Sequence, residues 1–247
     1  MAERERLDTV MVARGLAETR ARARDAILRG TVRVDGQVVE KPGQKVPVDA
    51  ALETGDPAAA YVSRAALKLK AALEVFAIDV AGRIALDLGA STGGFTQVLL
   101  EAGAARVHAI DVGHGQLHPR IAADPRVNRR DGVNARALTR DDLDGDTPAI
   151  VVSDMSFISL RLALPPALEL AAPGARGVFL VKPQFEIGRE GVGKKGLVEP
   201  KAAERTARAL AEWFDAQPGW SSIGFEPSPI TGGDGNREWL LAGRKDG

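Results

Sequence analysis

The chain has no cysteine, so neither a disulfide framework nor a thiolate metal site holds it together, and a reducing compartment suits it. No apolar run approaches the ~18 residues that a membrane-spanning helix needs. The first ten residues, "MAERERLDTV", are charged and lack the apolar centre of a signal peptide. Nor is there an excess of either charge: 33 Lys and Arg balance 33 Asp and Glu, so the whole-molecule charge selects no partner and local clusters must. These absences argue against a secreted or membrane-spanning protein and predict a soluble cytoplasmic one with no membrane partner. A length of 247 residues has room for one large domain and one small one.

The first local cluster is basic. Between residues 14 and 33 stand six arginines (14, 20, 22, 24, 29 and 33) against Glu18 and Asp25. "RLDTVMVARG" reads as a short amphipathic helix stopped at Gly15. "ETRARARDAILRG" reads as a second, with Thr19 as N-cap and Gly30 at its end. "TVRVDGQVV" follows, two β-branched runs joined by the tight-turn pair Asp35-Gly36. An arginine-rich helix is often only a solvated face. The order helix, Arg-rich helix, hairpin is more specific and resembles the small α+β RNA-binding module of ribosomal small-subunit protein four, here the S-four fold. That resemblance implies a domain over residues 1–53 that grips structured RNA by phosphate and shape. Arg6, Arg14, Arg20, Arg22, Arg24 and Arg29 are its candidate contacts.

"ETGDPAAA" has no periodicity and predicts an interdomain linker over residues 54–60. From residue 61 to 247 apolar runs alternate with helical patterns. "IALDLG", "RVHAIDVG", "AIVVSDMS" and "GVFLVKPQ" read as buried strands, and "SSIGFEPSPI" with "REWLLAGRK" as a last pair at the sheet edge. "TGGFTQVLLEAG", "ISLRLALPPALELA" and "EPKAAERTARALAEWF" supply crossover helices. Such alternation predicts an α/β fold with a mostly parallel, Rossmann-like sheet.

In such sheets the ligand lies at the carboxyl ends of the strands, where a glycine-rich turn lets backbone approach it. "LDLGASTGGF" offers Gly89, Ser91, Gly93, Gly94 and Phe95. The spacing is neither that of a dinucleotide turn nor that of a Walker loop. Asp87 inside the strand suits a cationic ligand better than a pyrophosphate. Asp111, 22 residues after Gly89, ends the next strand with Val112 and suits ribose hydroxyls. Asp131 and Asn134 follow a third strand, where an adenine edge would lie. Acids at three successive strand ends point to S-adenosylmethionine. His108, His114 and His118 read as loop residues, and no metal site is expected because no acidic or cysteine pattern accompanies them.

The motifs "SRAALKL", "LDLGASTGGFT", "SDMSFISL", "VKPQFE" and "SPITGGDGNREWL" occur in the order and spacing of the TlyA family, which this chain resembles over nearly its whole length. That family comprises cytidine 2′-O-methyltransferases of ribosomal RNA, also called haemolysin A, in which an S-four module precedes a catalytic domain like that of FtsJ. The resemblance implies S-adenosylmethionine-dependent methylation of large-subunit rRNA, with small-subunit rRNA as a second candidate. The chain stops nine residues after Glu238, which leans towards the large-subunit type. No obligate protein partner is implied.

A Lys-Asp-Lys-Glu tetrad is implied at Lys68, Asp154, Lys182 and Glu238, with Asp154 also beside the cofactor. Spacing alone does not choose between Lys68 and Lys70, which flank one apolar stripe; the resemblance selects Lys68. Such residues suit the chemistry. A ribose hydroxyl is a poor nucleophile near neutrality, and a lysine beside it can stabilise the alkoxide or take its proton. Lys182 is the candidate for that role and Asp154 for orienting it. Lys68 and Glu238 would position the ribose and complete the charge network. Arg64, and Arg189, Lys194 and Lys195 in the glycine-rich run "FEIGREGVGKKGLVEP", are further RNA contacts, the run being expected to close over substrate. A membrane-active haemolysin lacks a membrane element here. A non-catalytic RNA-binding regulator would not need the tetrad, nor a small-molecule methyltransferase the S-four module.

Overall fold

A computed structural model describes residues 3–247, and the chain divides into two compact units with the boundary between Ala60 and Tyr61. In the first, β1 (Arg4–Arg6) leads into α1 (Leu7–Ala13), followed by α2 (Arg20–Leu28), β2 (Val32–Val34), β3 (Gln37–Val38), β4 (Lys45–Pro47) and β5 (Leu52–Thr54). Leu7, Val10 and Met11 of α1 meet Ala23, Ala26 and Ile27 of α2, and Val32, Val34 and Val46 close the core from the strands. Thr19 caps α2 by accepting from the Arg22 amide at 3.3 Å. The β2–β3 turn puts Asp35 at φ 48° and Gly36 at φ 79°, the left-handed pair that matches strand twist in a two-residue hairpin. β2 is the middle strand of a β3-β2-β5 sheet, and β1 pairs with β4. Residues expected as a linker are tied to this unit: Arg29 bonds Asp56 at 2.7 Å and Arg22 donates to the Ala58 carbonyl at 3.0 Å.

The second unit opens with α3 (Ala66–Val75) and then runs β6 (Ile84–Leu88), α4 (Gly94–Glu101), β7 (Arg106–Asp111), α5 (Pro119–Ala122), β8 (Val127–Asp131) and β9 (Ile150–Ser153). It continues through α6 (Leu160–Ala163), α7 (Pro165–Leu170), β10 (Arg176–Val181), α8 (Pro200–Asp215), β11 (Trp220–Pro227) and β12 (Trp239–Lys245). The strands order as β11-β12-β10-β9-β6-β7-β8. β10, β9, β6, β7 and β8 are parallel, and β12 runs antiparallel to both its neighbours. Alternate residues of each central strand feed two cores. Leu86, Leu88, Val151 and Phe179 face α6, α7 and α8, whereas Ala85, Val107, Val152 and Val178 face α3 and α4. From β6 the chain proceeds outward to β7 and β8, then returns to β9 on the other side. The switch point of the sheet therefore lies between β6 and β9.

Two expectations need correction. The helix expected across "ISLRLALPPALELA" is two short ones, because Pro165 and Pro166 lack the amides that would continue α6. His108 is not a loop residue but a fully buried member of β7, held by Asp146 at 2.8 Å and Asn128 at 3.0 Å.

Candidate active site

At the switch point an open cavity of about 640 Å³ lies over the carboxyl ends of β6, β7 and β9. The turn after β6 forms its floor. Gly89 has φ +75°, and a Cβ there would stand 3.1 Å from Met155 and 3.4 Å from the Asp154 carbonyl, so only glycine lets the two strand ends come together. A Cβ on Gly94 would meet Ser63 at 2.9 Å and the Ala66 amide at 3.3 Å, which brings the start of α3 against α4. Gly89, Ser91, Gly94, Phe95, Asp111, Val112, Asn134, Asp154 and Lys182 all line the cavity.

Three expected ligand residues do not line it. Asp87 is fully buried beneath the turn. One oxygen accepts from Thr96 Oγ1 at 2.7 Å and the other, Oδ1, has no hydrogen-bond partner. Burial pushes its carboxyl up to about 7, the Thr96 bond opposes this, and the Asp154 and Asp111 charges add to it. Gly93 (φ +95°) makes room for Leu117 and Ile121 rather than for a ligand. Asp131 pairs with Arg129 and accepts from the Gly115 amide at 2.8 Å, which holds its carboxyl well below the usual range and turns it away.

Asp111 stays in the cavity but is already engaged, accepting from the amides of Ser91 at 2.8 Å and Gly113 at 2.7 Å. A carboxylate has about four acceptor positions, so two remain for hydroxyls. The Asn134 side-chain oxygen caps the Arg136 amide at 3.0 Å, which leaves its NH₂ to face a ligand. Gln116, Val133 and Arg136 also line the cavity. No sequence signal singled them out, because they are ordinary loop residues that the fold brings to the rim.

The four tetrad positions form two ion pairs. Lys68 Nζ bonds Glu238 Oε2, with side chains only 6% and 2% exposed. Burial raises the Glu238 carboxyl although Lys68, and more weakly Lys182, pull it down. Lys70, on the exposed face of α3, instead lies over the Tyr61 ring at 6.0 Å. Lys182 Nζ stands 2.7 Å from Asp154 Oδ1 and donates its directed bond to Ser156 Oγ at 2.8 Å. This second pair lines the cavity, with side chains 11% and 16% exposed. Beside it Phe157 is 91% exposed and sits at φ +66°, a strained conformation for a residue with a side chain. Its ring meets Phe185 at 5.3 Å. Sequence reading passed over Phe157, since an aromatic in an apolar run reads as core.

The basic segment after β10 is pinned at its far end rather than loose throughout. Asn236 accepts from the Val198 amide at 2.9 Å and donates to the Gly196 carbonyl at 2.8 Å. Arg189, Lys194 and Lys195 project from the exposed part between. Arg64 is half-buried; a Cβ on Gly233 would touch its guanidinium at 2.9 Å.

In the small unit the expected arginine face is divided. Arg14 donates to the carbonyls of Val48 and Ala50, and Arg29 sits between Asp25 and Asp56, so these two hold the unit together. Arg6 and Arg20 share Asp8, Arg22 bonds Glu18, and Arg24 is exposed. Among the described residues no group of three or more His, Asp or Glu side chains could hold a metal ion, and no helix is long and apolar enough to cross a membrane.

Known proteins resemble this chain in both of its units. A family model for FtsJ-like methyltransferases matches residues 61–245, and one for the S4 domain matches residues 5–52. The 16S/23S rRNA (cytidine-2′-O)-methyltransferase TlyA of Mycobacterium tuberculosis is 47% identical over 98% of this chain and 90% of its own. Hemolysin A of Brachyspira hyodysenteriae is 37% identical over 95% of this chain and 98% of its own. A solved hemolysin-named chain from Streptococcus thermophilus, 39% identical, superposes with a TM-score of 0.76 over 100% of this chain and 90% of that one. With an S4 domain followed by an FtsJ-like methyltransferase domain, the chain belongs to the FtsJ-like methyltransferase family, in its TlyA branch.

Proposed function

We propose that this protein transfers a methyl group from S-adenosylmethionine to the ribose 2′-hydroxyl of a cytidine in ribosomal RNA, in the cytoplasm, with residues 1–53 binding RNA, 54–60 linking and 61–247 catalysing. The observation that carries the reading is the Lys182–Asp154 pair at the rim of the cavity, backed by the buried Lys68–Glu238 pair. The cavity residues fit that cofactor. Gly89 and Gly94 admit close backbone approach, Asp111 keeps acceptor positions for ribose hydroxyls, and Asn134 keeps its NH₂ for an adenine edge. Asp87 acts from below the turn, through the field of a buried carboxyl whose Oδ1 has no partner, and favours a cation above it. When bound, the cofactor supplies an electrophilic methyl on a sulfonium.

The protein's own groups do the rest. Asp154 and Ser156 hold Lys182 Nζ in one place. From there Nζ, in its neutral amine form, takes the proton of the ribose hydroxyl and, as the ammonium so formed, stabilises the negative charge developing at that oxygen. Lys68 and Glu238 fix the charge behind that pair and position the ribose. Phe157 offers an exposed ring on which the target base stacks, worth about 1–3 kcal/mol in comparable sites. Arg64, Arg189, Lys194 and Lys195 meet phosphate, as do Arg6, Arg20, Arg22 and Arg24 in the small unit.

The test is transfer of labelled methyl to bacterial ribosomal subunits lacking the modification, comparing wild type with Lys182→Ala. Label on a cytidine ribose, lost in the variant, is the expected result, and the subunit that carries it identifies the substrate. Absence of label despite measurable cofactor binding would overturn the substrate assignment.

A further inference from the structure

We propose that Glu186 is a positioning residue, a half-buried clasp that fixes the segment from Asp154 to Leu160 against Lys182. The inference rests on the function proposed above for its catalytic readout but not for its structural one.

Residues 182–186 and 154–160 meet at three places. Lys182 Nζ lies between Asp154 and Ser156 at one end. Phe157 and Phe185 touch in the middle. At the other end both carboxylate oxygens of Glu186 are bound: Oε2 accepts from Ser159 Oγ at 2.6 Å and Oε1 from the Leu160 amide at 2.7 Å. Ser159 Oγ in turn accepts from the Arg161 amide at 3.1 Å, so one hydroxyl caps α6 and reports to Glu186. Leu160 is buried in the core next to α7 and anchors the far side.

Between these closures stands Phe157 in its left-handed conformation. A non-glycine residue is held there only when its surroundings over-determine it, at a cost of order 1–3 kcal/mol. Besides the clasp, the ring contact, the Ser156 bond and the packing of Met155, Ile158 and Leu160 against the core oppose relaxation of Phe157 to negative φ. Such relaxation would move Asp154 and Ser156 off Lys182. Glu186 is not itself placed for chemistry, since it does not line the cavity and both its oxygens are engaged. Desolvation raises its carboxyl, and the Ser159 and Leu160 bonds and, more weakly, the Arg161 charge oppose that.

Variants at Glu186, Asp154 and Ser159 test the clasp. In Glu186→Ala, amide hydrogen exchange across residues 154–160 should quicken about tenfold or more, because both closing bonds are gone. Its single-turnover methylation rate on the unmodified subunit should fall about 10- to 100-fold, the scale of a small misplacement, with RNA affinity within about threefold of wild type. Glu186→Gln should restore both, since an amide can accept from Leu160 and donate to Ser159. On an Asp154→Asn background the Glu186→Ala loss should largely vanish, because the clasp acts through Asp154; a merely structural defect would add in full. Unchanged exchange, or full additivity, overturns the proposal. If Glu186→Ala does not fold, Ser159→Ala removes one of the two bonds and should quicken exchange severalfold; no change there overturns it equally. An inactive wild type would refute the proposed substrate while leaving the exchange result to decide the clasp.

Discussion

Lys68–Glu238 and Lys182–Asp154 are the same chemical pair at the same end of one sheet, yet the fold leaves them in different conditions. The first is shut away, with Glu238 walled by Gly232, where a Cβ would stand 2.8 Å from its carboxylate. The second opens on the cavity and already shares its lysine with a serine. A buried pair cannot exchange partners without exposing a bare charge to low dielectric. A rim pair can, because water or substrate replaces what it loses. Under the proposed function the two lysine–carboxylate pairs therefore divide the work, one fixing the charge behind the site and the other meeting substrate.

Removing Lys182 probes the open pair and should have the largest effect. Lys182→Ala should lower turnover about 100- to 10,000-fold, the range of general base catalysis, and leave the melting temperature near wild type. Rate measured beside a thermal melt decides it. Lys68→Ala should do the reverse in emphasis, costing about 3–5 kcal/mol of stability by stranding the Glu238 carboxylate. The double variant Lys68→Met with Glu238→Leu should recover much of that stability, since an apolar replacement of a buried pair is often neutral, but not methylation. Should Lys68→Ala melt like wild type, the distinction between the pairs fails.

The parts of this architecture written in local pattern were legible. β6, β7, β9 and β10 are continuous apolar runs because parallel strands are covered on both faces, and the Thr19 cap, the Asp35-Gly36 turn and the Gly89 turn follow from single residues. What depends on long-range packing was not. Whether Asp87 reaches the cavity or lies beneath it depends on where α4 settles, and nothing in "LDLG" encodes that. Arg14 and Arg24 look alike in a run of arginines. Only the return of the chain to Val48 and Ala50 distinguishes the arginine that binds carbonyls from the one left exposed. Lys68 and Lys70 were separated by the same means, since the partner that draws one of them inward lies 170 residues away at Glu238.

Phe157 extends the contrast to an uncharged group, for it is an apolar side chain kept open where burial would be the default. Phe157→Ala should raise KM for the ribosomal subunit about 5- to 100-fold, the equivalent of one stacked base, with cofactor affinity little changed. Phe157→Tyr should retain most of the function, because stacking needs the ring. A loss confined to cofactor binding would instead make the ring part of the cavity wall.

Asp87 gives the sharpest test of what burial does to a charge at this edge. Its carboxyl is ordinarily half-ionised near 3.8 and in the fold is pushed up to about 7. Between those values the native state keeps a proton that the unfolded chain has released. Stability should therefore be fullest below about pH 4, decline as pH rises towards 7, and level off above it. Asp87→Asn removes the titration while keeping an acceptor for Thr96, so its melting temperature should fall less between pH 5 and pH 8 than that of wild type. Each kcal/mol of difference corresponds to about 2–4 °C in a chain of this size. Cofactor binding should act against the same proton, because a sulfonium above the turn favours the ionised carboxyl. At pH 6 calorimetry should find proton release on binding in wild type and less in Asp87→Asn. An equal decline of melting temperature in both proteins would assign the linkage to the other carboxyls that burial raises, Glu186 and Glu238, and would make Asp87 a neutral hydrogen-bonding group beneath the turn.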